Sequence, residues 1–388
     1  MSDFGIICEM NPLHRGHEYL LRQARERGAE RIVCVMSGNA VQRGELAVAE
    51  KYLRAEILLR CGADLVLELP FPWCAGSAEF FSRGAVSILR HFCDKLIFGS
   101  ESGDLMRLWR GAAIVGDPQF QADYRETLSL GGTSVGDYQR LLREYQIGPF
   151  SSNDILAVEY IRAANELHAV LKYLPIQREG AGYGQTELCD EEYPSATALR
   201  RMWREGRFEE TVKHLPEVSV EVWRRAKEEG LFFDEGRLDP LLVTFFCLHD
   251  GVYFETAEGA GGGLGNYLCA TAREVKSAAE LREALRTKRY TDARLRRLML
   301  NCLCGVTQKD LSALPAYTTL LAANERGRTL LAEKRKTGDF PVVTKPADAP
   351  KESRQFLLGQ RIDAVYAACL ERPRSAAELF AAGRPFIQ

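Results

Sequence analysis

The chain has 388 residues, 46% hydrophobic and 27% charged, with a formal net charge of −2, enough for two domains with a buried core in each and typical of an ordinary soluble protein. No apolar run approaches the roughly 20 residues that span a bilayer, and "MSDFGIICEM" has no basic segment before its apolar stretch and no cleavage site, so neither a membrane protein nor a secreted one is expected. The 11 cysteines include no CxxC pair, and Cys302 with Cys304 gives too few ligands for zinc, which leaves reduced, mostly buried thiols in a cytoplasmic protein as the simplest expectation.

Over the first hundred residues, "FGIIC" (4–8), "RIVCVM" (31–36), "DLVLEL" (64–69) and "KLIFGS" (95–100) predict buried strands. Between them, "EYLLRQARERG", "AEKYLRAEILLRCG" and "AEFFSRGAVSILRHF" carry apolar residues at helical spacing, the first two closing on Gly28 and Gly62. Strand and helix in alternation predict an α/β fold with a parallel sheet and right-handed crossovers. In such sheets ligands bind beyond the carboxyl ends of the strands, and residues 9–17 lie at one such end. From about residue 205 the strand signal fades. "FEETVKHL", "EVWRRAKEEG", "AAELREALRTK" and "ARLRRLMLNCL" read as amphipathic helices, so a mainly helical second domain is expected over 201–388 after a first domain over 1–200. "EGAGGGLGN" (258–266) reads as a flexible loop rather than a phosphate cradle, since no strand precedes it and no lysine follows. Charge is uneven: residues 1–200 hold 21 Lys and Arg against 27 Asp and Glu, and the remainder holds 30 against 26. A mildly basic second half points weakly to a polyanionic partner.

In "EMNPLHRGHEYLL" (9–21), two of the chain's six histidines, His14 and His17, stand where the first strand turns into a helix expected to begin near His17. A histidine taken alone is more often structural or exposed. Here Gly16 lets backbone approach a ligand closely, and Pro12 stiffens the turn. The unbonded N–H groups of a helix start favour anions, and two imidazole donors add to that. The combination suits charge building on a nucleotide phosphate as pyrophosphate is displaced.

This HxGH pattern after a first parallel strand resembles the nucleotidyltransferase superfamily that includes class I aminoacyl-tRNA synthetases. With "MSGNAVQRGELA", "GADLVLELPFPWCAGSAEFFSRGAVSIL", "FGSESGD", "SSNDILAVEY", "SATALR", "TKRYTDARLRRLML" and "FPVVTKPAD" in the same order, most of the chain resembles the bacterial tRNA(Met) cytidine acetate ligase family. The resemblance implies a Rossmann-like nucleotidyltransferase domain followed by a mainly helical tRNA-binding domain. It further implies activation of acetate by ATP to acetyl-adenylate, then transfer of acetyl to N4 of the wobble cytidine of elongator methionine tRNA. ATP would be a substrate, accompanied by magnesium whose ligands the sequence does not name; no tightly bound organic cofactor and no membrane are expected.

Carried over residue by residue, the resemblance places ATP along Ile7, Cys8, Glu9, Met10, Asn11, Pro12, Leu13, His14, Arg15, Gly16, His17, Glu18, Tyr19 and Leu20, with His14 and His17 catalytic. Gly99, Asn153, Arg178, Ser195, Thr197 and Arg200 would complete the ATP site. Four of these have a plainer reading: Gly99 as a strand-ending glycine, Asn153 and Ser195 as helix caps, Arg178 as a solvated cation. Arg43, in the loop after the second strand, is the residue there most able to hold the acetate carboxylate, and Ala40 stands where the family pattern has an aromatic. "RTKRYTDARLRR" (286–297) holds six Lys and Arg against one Asp, with Tyr290 interleaved. That is the composition of an RNA-contacting surface, with Lys288, Arg289 and Tyr290 as the tRNA-binding candidates, or else of a solvated helix face. No KMSKS-like loop appears, which argues against an ordinary synthetase. A small-molecule adenylyltransferase would not need so large a basic helical half, and a non-catalytic nucleotide- or RNA-binding protein would not need both histidines.

Overall fold

A computed structural model describes residues 2–129, 136–177, 195–287, 290–338 and 340–388. Its strands are β1 (Asp3–Cys8), β2 (Arg31–Ser37), β3 (Ala40–Val41), β4 (Glu45–Leu46), β5 (Leu65–Leu69), β6 (Lys95–Ser100), β7 (Lys172–Gln177), β8 (Thr318–Ala323), β9 (Val342–Val343) and β10 (Phe386–Ile387). The main sheet runs β10-β8-β5-β2-β1-β6-β7, with β9 beside β8, while β3 and β4 form a separate hairpin. β1 pairs in parallel with β2 and with β6, β2 with β5, and β6 with β7. The chain thus winds outward from β1 in one direction and then in the other, and the order reverses between β1 and β6.

The four strands expected from the sequence all form, because both faces of this sheet are covered and continuous apolar runs suit such strands. Alternate residues feed opposite layers: Ile7, Val33 and Val35 enter one core, and Phe4, Ile6, Ile32, Cys34 and Met36 the other. A third cluster is built from the helices Glu235–Cys247, Leu264–Ala272, Ala278–Leu285 and Asp292–Cys304. This is the helical half that the sequence leads one to expect, but it ends well before residue 388. β8 lies antiparallel on β5, and β10 joins β8, so the last seventy or so residues return to the sheet. A division at residue 200 therefore does not separate sheet from helices: "TTLLAA" (318–323) is a short apolar run whose partner lies some 250 residues earlier. No helix among the described residues is long and apolar enough to cross a membrane, and the described cysteines are free thiols, most of them buried.

Candidate active site

A cleft of about 1580 Å3, its open mouth included, lies where β1 and β6 end, at the reversal of strand order that favours ligand sites in open α/β sheets. It brings together Ile7, Cys8, Glu9, Met10, Asn11, His14, Gly16, His17, Tyr19, Leu20, Gly99, Asn153, Ser195, Thr197 and Arg200 from the residues singled out in the sequence. Pro12, Leu13, Arg15 and Glu18 are not on its wall. Leu13 is fully buried in the core and Arg15 is exposed, as the turn into the helix rotates alternate side chains away. Arg178, Lys288 and Arg289 lie outside the described residues. Tyr290 is away from the cleft, against the third core cluster with the Arg294 guanidinium 5.0 Å from its ring centre. Sequence reading missed the apolar wall of Phe81, Phe98, Leu156, Tyr160 and Ile176; these are ordinary core positions by pattern, and only the third dimension turns them to one side of a ligand site.

The helix after β1 begins at Arg15, earlier than its apolar spacing suggests, because the histidines themselves start it. His14 is the N-cap: its Nδ1 accepts the Gly16 N–H at 3.1 Å, and His17 Nδ1 accepts the His14 N–H at 3.3 Å. This is the reciprocal capping box in which Ser/Thr and Glu/Gln ordinarily serve. With both Nδ1 atoms accepting, a neutral ring carries its proton on Nε2, so each imidazole presents a donor on its far edge. The ring centres are 4.0 Å apart. Gly16 has a role the sequence did not suggest: a Cβ there would sit 3.0 Å from His14 Cε1 and 3.1 Å from Nδ1, so glycine makes room for the capping ring.

Opposite, the helix Ala196–Arg204 starts at the cleft with Ser195 as N-cap, its side chain accepting from Ala198 N. Two helix N-termini therefore meet one space, each with its dipole and uncommitted N–H groups. Arg200 donates Nη1 to the Asn11 carbonyl at 2.6 Å, with Nη2 3.4 Å from Thr197 Oγ1 and 3.5 Å from Glu45 Oε2. Asn11 Oδ1 in turn accepts from Val48 N, so the turn after β1, the hairpin loop and this helix are held as one wall. Glu45 and Arg200 also line a second, more apolar cavity of about 860 Å3 on the far side of that wall.

Glu9 lies in the cleft with its Oε1 accepting Gln42 N at 2.7 Å. Burial pushes its carboxyl above the ordinary value of 4.5, and Glu45 adds to this, against the Gln42 N–H, Arg200 and Arg43. The folded protein thus holds this proton to higher pH than the unfolded chain, and stability falls as pH rises from the ordinary value towards the raised one. Glu9→Gln keeps an acceptor for Gln42. It is expected to raise the melting temperature near pH 7 and to leave it unchanged near pH 3, where both side chains are neutral. Melting curves of the two proteins at both pH values check this; equal shifts at both would assign the effect to packing.

At the apolar end, Asn153 Nδ2 donates to Glu101 Oε1 at 2.7 Å. The same carboxylate receives Ser151 Oγ and the Asp154 N–H. An ionised carboxylate only accepts, so this contact fixes the amide with Oδ1 as its remaining acceptor.

A HIGH Nucleotidyl Transferase family model matches residues 1–379. Among curated relatives, the tRNA(Met) cytidine acetate ligase of Thermotoga petrophila is 36% identical over 87% of this chain and 85% of its own length. That of Caldanaerobacter subterraneus subsp. tengcongensis is 31% identical over 92% of each chain. The crystal structure of Thermotoga maritima TmcAL superposes with a TM-score of 0.90 at 32% identity, covering 100% of both chains. The form of that protein bound with alpha-thio ATP gives 0.88 at 32% identity over the same span. A cleft at the strand-order reversal, two histidines heading one helix, and likeness over nearly the whole length agree: this chain belongs to the tRNA(Met) cytidine acetate ligase family of HIGH nucleotidyl transferases.

Proposed function

We propose that this chain activates acetate with ATP and passes the acetyl group to N4 of the wobble cytidine of elongator methionine tRNA. The observation that carries the reading is that His14 and His17 at one helix N-terminus, and Arg200 in the first turns of a second helix that starts at the same cleft, line one space in a chain of this family. In the first step an acetate oxygen attacks the α-phosphorus of ATP and pyrophosphate leaves. The imidazole Nε2–H groups, the Arg200 guanidinium and the helix N–H groups stabilise the charge gathering on the phosphates. In the second step the cytidine amine attacks the acyl carbon and AMP leaves. Neither step needs a protein nucleophile; both need alignment and charge stabilisation. Magnesium bound to ATP would add to the neutralisation of phosphate charge; among the described residues no three His, Cys, Asp or Glu stand together as a ligand set, so no protein ligands are assigned to it.

The test is incubation of the purified protein with ATP, labelled acetate and methionine tRNA. Label is expected in the RNA; label that appears only from acetyl-CoA, or never, would overturn the reading.

The orientation of Asn153 supports an assignment of the nucleobase. On this reading the charged groups take the phosphates, and the wall of Phe81, Phe98, Leu156 and Tyr160 takes the stacked base. A base seated there would meet Asn153 Oδ1, an acceptor that would favour the 6-amino group of adenine and disfavour a 6-oxo base. Glu101→Gln offers the amide a donor as well as an acceptor and so frees it to turn over. The expected result is a rise of about tenfold in the KM for ATP, with inosine triphosphate gaining relative to ATP. Steady-state pyrophosphate release with the two nucleotides measures both; an unchanged ATP-to-ITP ratio would leave Glu101 a simple helix cap.

A further inference from the structure

The hairpin of β3 and β4 carries Gln42, Arg43 and Glu45 into the cleft wall, yet each of its strands is 2 residues long and neither joins the main sheet. So short a hairpin does not hold its own shape in water, and its place at the cleft has to be set from outside. At the tip, Glu9 accepts the Gln42 N–H at 2.7 Å, and Arg297 Nη1 donates to the Gln42 carbonyl at 3.3 Å. The root is Asn39, which is 1% exposed. Its carbonyl accepts the Ala47 N–H at 2.9 Å, one step beyond the Ala40–Leu46 pair of the ladder. Its side chain closes a ring with the helices Lys51–Arg60 and Arg354–Ala368. Asn39 Oδ1 accepts the Lys51 N–H at 2.9 Å, and Nδ2 donates to Asp363 Oδ1 at 2.8 Å. Asp363 Oδ2 in turn takes Lys51 Nζ at 3.0 Å, and the same ammonium reaches Glu68 Oε1 at 2.9 Å. A Cβ on Gly38 would fall 2.6 Å from that Glu68 oxygen, so the chain passes the carboxylate only as glycine. None of Asn39, Lys51, Glu68 and Asp363 is on the cleft wall. Well-packed apolar side chains of the same volume would cost the fold less than these buried charges. What the ring adds is a fixed donor and acceptor direction at the hairpin root.

We propose that Asp363 is a positioning residue for the activation of acetate: acting through Asn39, it sets the hairpin root so that Gln42, Arg43 and Glu45 stand at the reacting end of the cleft. The proposal rests on the acetate-activation reading for the step it serves. The hairpin supplies none of the groups at the apolar end, where Phe81, Phe98, Asn153, Leu156 and Tyr160 lie. A shifted hairpin therefore spoils alignment at the phosphates and leaves the seat of the base intact. Misplacement of a reacting group by about 1 Å costs on the order of 10²-fold in rate, so a displaced root is felt at the cleft without any loss of a cleft side chain.

The experiment compares the full-length wild type with Asn39→Asp, Asp363→Asn and the double variant that carries both. Asn39→Asp keeps an acceptor for the Lys51 N–H but sets carboxylate against carboxylate at Asp363. The double variant restores that contact with donor and acceptor exchanged, at unchanged net charge. Four quantities are measured: acetate-dependent ATP–pyrophosphate exchange, ATP affinity by equilibrium dialysis, amide hydrogen exchange over residues 40–47, and thermal melting. Asn39→Asp is expected to lose about 10²-fold in the kcat of pyrophosphate exchange well below its melting temperature, with ATP affinity within about threefold of the wild type. Its hairpin amides should lose protection while those of β1 and β2 keep theirs. The double variant should regain both the hairpin protection and the rate, to within about threefold. Asp363→Asn alone leaves Asn39 an acceptor but turns an amide donor towards Lys51, so it should fall between; it carries the same comparison if Asn39→Asp does not fold. A lowered melting temperature with full pyrophosphate exchange below it would make the ring a structural brace and overturn the proposal. So would a double variant that melts like the wild type yet stays as slow as Asn39→Asp. Should the wild type show no acetate-dependent exchange, the function reading falls, while hairpin protection in the four proteins still decides whether Asp363 positions the loop.

Discussion

Replacing His14 or His17 by alanine is expected to cut acetate-dependent ATP–pyrophosphate exchange by about 10²–10³-fold, the usual loss when a preorganised donor to developing charge is removed. Alanine also removes part of the helix cap, worth about 1 kcal/mol, and misplacement of the helix start would imitate a catalytic defect. The geometry suggests a way to separate the two. His14 uses Nδ1 to accept from Gly16, and His17 uses Nδ1 to accept from His14. A His14→Ser, His17→Gln double variant rebuilds the ordinary S-x-x-Q capping box on the same backbone. It should match the wild type in stability to within about 0.5 kcal/mol, bind tRNA normally, and still lack exchange. Recovery of exchange in that variant would show that the histidines act only as caps, and the phosphate role would have to be abandoned.

How much of this was legible in the sequence depends on the range over which each feature is encoded. β1, β2, β5 and β6 announce themselves within six or seven residues, because a strand covered on both faces needs a continuous apolar run. The cleft's position followed from their order. The capping role of His14 was hidden because histidine is an unusual N-cap, so the helix seemed to start near His17 rather than at Arg15. The return of the C-terminal segment was not legible, since β8 is defined by β5 rather than by its own neighbours. The same holds for the clamp that ties the chain's end to the cleft loop. Asp363, on the helix Arg354–Ala368, accepts from Asn39 Nδ2 at 2.8 Å and from Lys51 Nζ at 3.0 Å, and Lys51 also reaches Glu68 at 2.9 Å. No local pattern links residue 39 to residue 363. The tRNA-binding candidates at 288–290 were read from composition, and Lys288 and Arg289 lie outside the described residues; of the same basic run, Arg297 reaches the hairpin loop at the Gln42 carbonyl.

Arg54→Met is expected to destabilise the fold by about 3–5 kcal/mol, a large effect for a helix, "KYLRAEILLR", that looks in sequence like an ordinary amphipathic one with its arginines in water. Arg54 is wholly buried. Its guanidinium gives Nε to the Ala49 carbonyl at 2.8 Å, Nη1 to that of Glu9 at 2.5 Å, and Nη2 to those of Ser37, at 3.1 Å, and Gly38. The Glu9 and Gly38 carbonyls have just left β1 and β2, Ser37 ends β2, and Ala49 lies just before the helix Lys51–Arg60. One planar fork thereby satisfies both loops that form the cleft floor. Burial lowers the proton affinity of Arg54, with Glu50 and Glu9 as charges acting the other way, so the group is held mainly by carbonyl dipoles. Methionine fills a similar volume but leaves four acceptors dry, and a denaturant midpoint far below that of the wild type is the expected reading. Arg54→Lys keeps the charge and loses the fork, so it should fall between the two in stability while losing exchange activity well below its melting temperature, because Glu9 and the hairpin loop shift. A Lys variant with full activity, or a Met variant within about 1 kcal/mol of the wild type, would mean that water or the loops themselves satisfy those carbonyls, and that the cleft floor does not depend on this side chain.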